Sequence, residues 1–158
     1  MVERLRPSVI LQAGVLSRNE DLERNSPTAR SINVYASKSL ALAAESSGSQ
    51  LGYVSTDAVF DGPEGGYPEE TQPSPFAVCG QTALEGEMDC LEETSALVVR
   101  TNFFEWSPSG STLIVEFFCP FPRNEVNKKS LTDFQVTTVY AQDLTSSVWR
   151  LLESEARW

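Results

Sequence analysis

The sequence predicts an α/β domain built on a parallel sheet, and three observations carry that reading. Short apolar runs recur at Val9-Ile10-Leu11, Leu51-Gly52-Tyr53-Val54 and Ala96-Leu97-Val98-Val99. Unbroken runs of this length are those of strands covered on both faces. Segments with helical spacing separate them, and strands alternating with helices pair in parallel through crossovers. Two of the runs also empty into small or polar residues, Gln12-Ala13-Gly14 and Ser55-Thr56-Asp57. In such sheets the carboxyl edge is where ligands bind.

The elements follow in order. Pro7 to Leu11 reads as the first strand. Asn25-Ser26-Pro27 announces a helix, with Ser26 as N-cap and Pro27 in the first helical position. Ile32, Ala36, Leu40 and Ala43 keep helical spacing, and Gly48 ends the helix. A strand from Gln50 to Ser55 leads into a loop from Thr56 to Pro75 rich in Gly, Pro and acids. A second helix is predicted from about Val78 to Glu93, then the strand Ala96 to Arg100. Beyond the turn at Ser107-Pro108-Ser109-Gly110, Thr112 to Phe118 reads as either a short helix or a strand, interrupted by Pro120 and Pro122. The last element is a helix from about Tyr140 to Glu153, with Leu144, Val148, Leu151 and Leu152 on one face.

Composition narrows the partners. A chain of 158 residues that is 41% hydrophobic is one domain by length and can bury a core. With 22 acidic against 12 basic residues, its formal charge is −10. Nucleic acid and anionic membranes both require clustered positive charge, so neither is an expected partner. No apolar run approaches the ~20 residues of a membrane-spanning helix. The first residues, Met1 to Pro7, lack the apolar stretch of a signal peptide, and a cytoplasmic protein is expected. The absence of histidine excludes Ser–His–Asp and Cys–His hydrolases and His-ligated zinc. Cys79, Cys90 and Cys119 form no C-x-x-C pair, so neither a disulfide framework nor a metal site is implied.

A doubly wound nucleotide-binding sheet has six or more strands and begins with a Gly-rich phosphate turn. Only about three core strands are predicted here, and the sequence contains neither G-x-G-x-x-G nor G-x-x-G-x-x-G. Gly62, Gly65 and Gly66 lie in an acidic loop. The expectation is a partial Rossmann-like parallel sheet lacking its first strands and Gly-rich turn.

Six motifs in order carry a resemblance. They are Leu5 to Gly14 (LRPSVILQAG), Ser31-Ile32-Asn33-Val34, Asp61 to Glu70 (DGPEGGYPEE), Pro75 to Glu87 with Gly80, Thr82, Gly86 and Glu87, Val99-Arg100-Thr101-Asn102-Phe103, and Thr138 to Leu144 (TVYAQDL). Together with Val54 to Gly62 they resemble the dTDP-4-dehydrorhamnose reductase family of the extended short-chain dehydrogenases, across roughly Leu5 to Glu153. The resemblance implies a single domain over 1–158. Its sheet portion is 1–103, a small substrate-binding region 104–139, and a C-terminal helix 140–158. It also implies an N-terminal truncation relative to the family.

The family reduces a keto sugar carried on a nucleotide. NAD(P) supplies the hydride, a Tyr protonates the developing oxyanion, and a Lys four residues later holds the nicotinamide ribose. That spacing puts both on one helix face. The resemblance assigns Thr56 the catalytic hydroxyl, while Cys79 and Ala83 stand where the Tyr and Lys belong. It assigns cofactor contacts to Ala13, Gly14, Val15 and Ser55, and substrate contacts to Ser17, Thr56, Asp57, Asn102 and Phe103. Ser55, Thr56 and Asp57 also suit a simple turn cap. A thiol at position 79 falls several ångströms short of a phenol's reach, and Ala83 carries no charge. Loss of a general acid alone costs roughly 10²–10⁴-fold.

Other residues read as structural. Arg100, the lone charge in its strand, is expected in an ion pair. The acids Glu85, Glu87, Asp89, Glu92 and Glu93 spread around their helix and read as a solvated face. Tyr35 and Lys38, three rather than four apart, read as helix surface. Trp106, Phe117, Phe118 and Phe121 suit a pocket or a core equally.

The sequence therefore implies a dTDP-4-dehydrorhamnose reductase-like protein, catalytically impaired, with a nucleotide-sugar ligand. The missing phosphate turn argues against tight NAD(P) binding by this chain. The alternative is a non-catalytic binding or regulatory subunit on the same fold, comparable to the methionine adenosyltransferase β subunit; a third reading has another chain supplying the missing half. The strand Val9 to Leu11 is expected to leave an open apolar edge, and such edges invite self-association or a protein partner.

Overall fold

The computed structural model describes residues 1–14, 26–62, 65–104 and 138–154. Four strands form one parallel sheet in the order β1 (Val9–Gln12), β2 (Gln50–Thr56), β3 (Ala96–Phe104) and β4 (Thr138–Tyr140). The register pairs Val9 with Gln50, Leu51 with Ala96, Thr56 with Thr101 and Asn102 with Thr138. The α/β parallel architecture is the one the apolar runs predict. It adds a fourth strand where a helix start was expected. Thr138, Val139 and Tyr140 favour extended backbone, and three residues are too few for a periodicity to reveal.

Helices cover both faces. A single turn, α1 (Val2–Leu5), precedes β1 and closes on Arg6 in the left-handed region. On one face lie α2 (Ser26–Arg30), a π-helical turn (Ser31–Tyr35), α3 (Ala36–Ser47) and α4 (Val78–Glu93). The backbone stays helical through Arg30 and Ala36, so the first three are one continuous rod. Gly48 ends it at φ 68°, with the Ser49 N–H on the Ala44 carbonyl at 2.9 Å. On the other face α5 (Ala141–Glu153) seats Leu152 over Gly52, where a Cβ would come within 3.3 Å of the leucine.

The core lies between the first face and the sheet. Ala41, Ala44, Leu51, Tyr53 and Cys90 are buried there, with Ile10, Ala96 and Val98 packed against them. The predicted apolar stripe of the rod needs correcting. Ala29, Asn33, Val34, Ser37, Ala41 and Ala44 are the buried positions, whereas Ile32, Leu40 and Ala43 are half-buried and Ala36 is exposed. The steps of four residues from Ala29 through Asn33 and Ser37 to Ala41 suit a rod widened by its π turn. Apart from Val34, the buried residues are small or polar because α4 comes close: a Cβ on Gly86 would lie 2.5 Å from the Asn33 carbonyl oxygen. Asn33 Nδ2 donates to Thr82 Oγ1 at 3.0 Å, and the Ser37 hydroxyl donates to the Asn33 carbonyl at 2.8 Å.

Three surface ion pairs tie the rod to α4. Arg30 meets Glu85 with both guanidinium nitrogens, and Lys38 reaches Asp89 at 3.1 Å and Glu93 at 3.2 Å. Tyr35 is exposed beside them, as its off-register spacing with Lys38 suggests.

Candidate functional site

The site begins with the alternation of β2. Leu51, Tyr53 and Ser55 turn toward α4, as residues two apart in a strand must. Tyr53 is 3% exposed; its hydroxyl makes a long contact of 3.4 Å with the Ala83 carbonyl, and burial pushes its pKa up to about 12. One step along, the Ser55 hydroxyl donates to the Glu87 carboxylate. Glu87 also accepts from Arg100, which stands beside Ser55 in the register. Nη2 lies 2.7 Å from Oε2, and Nε lies 3.1 Å from each carboxylate oxygen.

Glu87 is 1% exposed, which corrects the expectation of a solvated acidic face. A buried carboxylate is tolerable when paired and fully hydrogen-bonded. The ion pair expected of Arg100 is present. A sequence signal existed for its partner: Cys79, Ala83 and Glu87 recur every four residues, on one helix face.

At the carboxyl edge the chain turns. Thr56 caps a 3₁₀ turn (Asp57–Val59), accepting the Ala58 N–H at 3.2 Å and donating to Asp57 Oδ1 at 3.3 Å. Asn102, from the end of β3, donates Nδ2 to Asp57 Oδ2 at 3.2 Å. Thr56, Asp57 and Asn102 thus form one half-buried cluster of hydroxyl, carboxylate and amide. Thr56 is both turn cap and candidate ligand residue.

The N-terminal end of α4 abuts this cluster. Gly80 makes the approach possible, since a Cβ there would lie 2.0 Å from the Ala58 carbonyl oxygen. Cys79 is 7% exposed and Ala83 1% exposed. Burial, with a smaller contribution from the Asp57 charge, raises the Cys79 pKa above its ordinary value. The group is therefore a neutral thiol, unlike a reactive cysteine in an electropositive setting.

Of the remaining expected contacts, Ala13 and Gly14 are exposed just past the Gln12–Tyr53 pair, at the same sheet edge. Phe103 alternates away from Asn102 and is 47% exposed. Val15 and Ser17 lie outside the described residues, as do Cys119 and the aromatic stretch between 105 and 137. The donor set does not fit a nicotinamide dinucleotide well. The Ser55 hydroxyl is engaged by Glu87, and the Ala83 side chain offers neither charge nor hydrogen bond. Among the described residues no cluster of acidic and cysteine side chains could hold a metal ion.

The family model of the RmlD substrate binding domain matches residues 1–153. The chain belongs to that family. Within reach of it, the chain is 32% identical to the dTDP-4-dehydrorhamnose reductase of Aggregatibacter actinomycetemcomitans over 105 residues, 65% of this chain and 36% of that protein. It is 40% identical over 96 residues to methionine adenosyltransferase 2 subunit beta of Bos taurus, 60% of this chain and 29% of the bovine protein. The RmlD-family chain therefore spans little more than a third of these relatives, or less.

Solved structures agree. A hypothetical dTDP-4-dehydrorhamnose reductase from Sulfolobus tokodaii superposes with a TM-score of 0.62 at 33% identity, covering 65% of this chain and 38% of that one. The reductase from Bacillus anthracis, solved in complex with NADP, gives 0.62 at 31% identity over the same shares. A UDP-Glc/GlcNAc 4-epimerase from Campylobacter jejuni gives 0.73 at 14% identity over 99% of this chain and 56% of that one, a likeness of fold alone. This RmlD-family protein is thus dTDP-4-dehydrorhamnose reductase-like, in a family whose solved members include NADP complexes.

Proposed function

We propose that the chain carries the strand-end ligand site of the dTDP-4-dehydrorhamnose reductases without their proton-transfer pair, and so binds a nucleotide-linked sugar with little or no turnover. The observation behind this is the α4 face opposite Thr56. Cys79 and Ala83 sit there buried, the first a neutral thiol and the second without any polar atom. Thr56, Asp57 and Asn102 remain to contact hydroxyl groups of a sugar. In this reading 104–139 supplies further sugar contacts. Among the described residues no helix is long and apolar enough to cross a membrane.

The test is to offer the protein NADPH and dTDP-4-dehydro-6-deoxy-L-mannose and follow nicotinamide absorbance. No oxidation above background is expected, since missing acid catalysis alone costs roughly 10²–10⁴-fold. Turnover at rates usual for enzymes would overturn the reading.

A second reading draws on the identity to methionine adenosyltransferase 2 subunit beta. Here the chain is a binding or regulatory subunit, and its partner covers the β1 side of the sheet. Sedimentation of the protein mixed with a methionine adenosyltransferase catalytic subunit tests it. A stoichiometric complex supports this reading, and independent sedimentation of the two removes it.

A further inference from the structure

Arg100 does more than neutralise Glu87. Its guanidinium carbon lies 5.4 Å from the centroid of the Phe60 ring, the geometry of a cation held over a π face. Phe60 in turn stacks on Tyr67, with centroids 4.6 Å apart and planes inclined by 13°. The Tyr67 hydroxyl donates to Asp61 Oδ1 at 2.8 Å. A chain of contacts thus runs from a carboxylate inside the domain, through Arg100 and Phe60, to the loop beyond the Asp57–Val59 turn.

Phe60 is the residue at which that turn ends. Its N–H bonds the Asp57 carbonyl at 3.0 Å, and the Val59 carbonyl accepts from the Ser74 N–H at 2.9 Å. The turn is therefore gripped at its entrance by the Thr56 cap and the Asn102–Asp57 bond, and at its exit by the Phe60 ring on Arg100. The Glu87 carboxylate fixes the guanidinium plane, because Arg presents a rigid planar fork that a bidentate partner orients. We propose that Arg100, oriented by Glu87, is a positioning residue that clamps Phe60 and so sets the geometry of Asp57 and Thr56 for the ligand. The clamp itself is independent of the ligand's identity, which rests on the nucleotide-sugar reading above.

The experiment leaves the buried ion pair intact and removes the ring that meets both Arg100 and Tyr67; Tyr67→Leu, which removes the stack alone, is the control and leaves exchange at the wild-type rate. In Phe60→Leu, amide hydrogen exchange between Ala58 and Asp61 accelerates by about tenfold, within the range a cation–π contact supports. Exchange in β2 and β3 stays at the wild-type rate, and Phe60→Trp restores protection of the turn. Titration with dTDP shows Phe60→Leu binding several-fold more weakly and Phe60→Trp recovering. Unchanged exchange in Phe60→Leu overturns the clamp, as does acceleration that Phe60→Trp fails to reverse. If the wild-type protein does not bind dTDP, the nucleotide-sugar reading falls, and the exchange data still decide the clamp.

Discussion

The two sides of the sheet are finished in opposite ways. Around α4, polar groups are matched by named partners: Ser55 and Arg100 on Glu87, Asn33 on Thr82, and beside them Asn102 on Asp57. At β1 the surface is apolar and open. Leu11 is 46% exposed and Trp149 52% exposed. Both help line a groove of about 310 Å³ with Pro7, Val9, Val148 and Leu152. Among the described residues β1 has a strand neighbour only in β2. Specific hydrogen bonds close one side, and unspecific hydrophobic surface is left on the other. The first fixes a geometry and the second invites company.

The largest expected effect comes from opening the matched side. Glu87→Ala leaves a guanidinium and a hydroxyl without their buried acceptor. Breaking such a pair from one side costs roughly 3–5 kcal/mol, and the partial exposure of Arg100 places this case toward the lower end. A matching fall in urea stability is expected; a loss under about 1 kcal/mol would mean that the network contributes little.

A milder way to strain the same side is alkali. Burial raises the Tyr53 pKa from 10.0 to about 12 and the Cys90 pKa from 9.0 to about 11. Both are neutral acids that hold protons in the folded state after the unfolded chain has released them. Their contribution is complete below the unfolded values and declines as pH rises through the folded ones. Thermal midpoints should be level up to about pH 8.5 and fall steadily above it. A midpoint independent of pH up to 11 contradicts the burial of these groups.

The smallest stability effect belongs to the open side. Leu11→Lys places a charge on the edge strand, a device natural sheets use against edge pairing. Thermal stability should change little, as for most surface substitutions. Sedimentation should show the wild-type protein self-associating and the variant less so. Equal association of the two would place the contact elsewhere.

These differences also explain what could be read in the sequence. Three of the four strands announced themselves as apolar runs, and α4 begins and ends where its pattern said, at Val78 and Glu93. Its rod partner was misphased because Asn33, Ser37 and Ala44 pack by smallness, which hydrophobicity does not record. Glu87 hid in an acidic run although its position, four residues past Ala83, pointed inward. Ser55-Thr56-Asp57 was legible as a strand end facing a ligand edge. The separation of duties within it, Ser55 to the interior and Thr56 to the turn, depends on Glu87 and Arg100, which lie far away in sequence.

Gly80 leaves less than a methyl group's room beside the Ala58 carbonyl. Helix and turn consequently behave as a single machined part. A tilt of α4 has no slack in which to dissipate before it reaches Asp57, so distant substitutions along the helix become adjustments of the site. Anyone grafting a new loop between Thr56 and Pro75 inherits this tolerance, and must carry Gly80 with the loop.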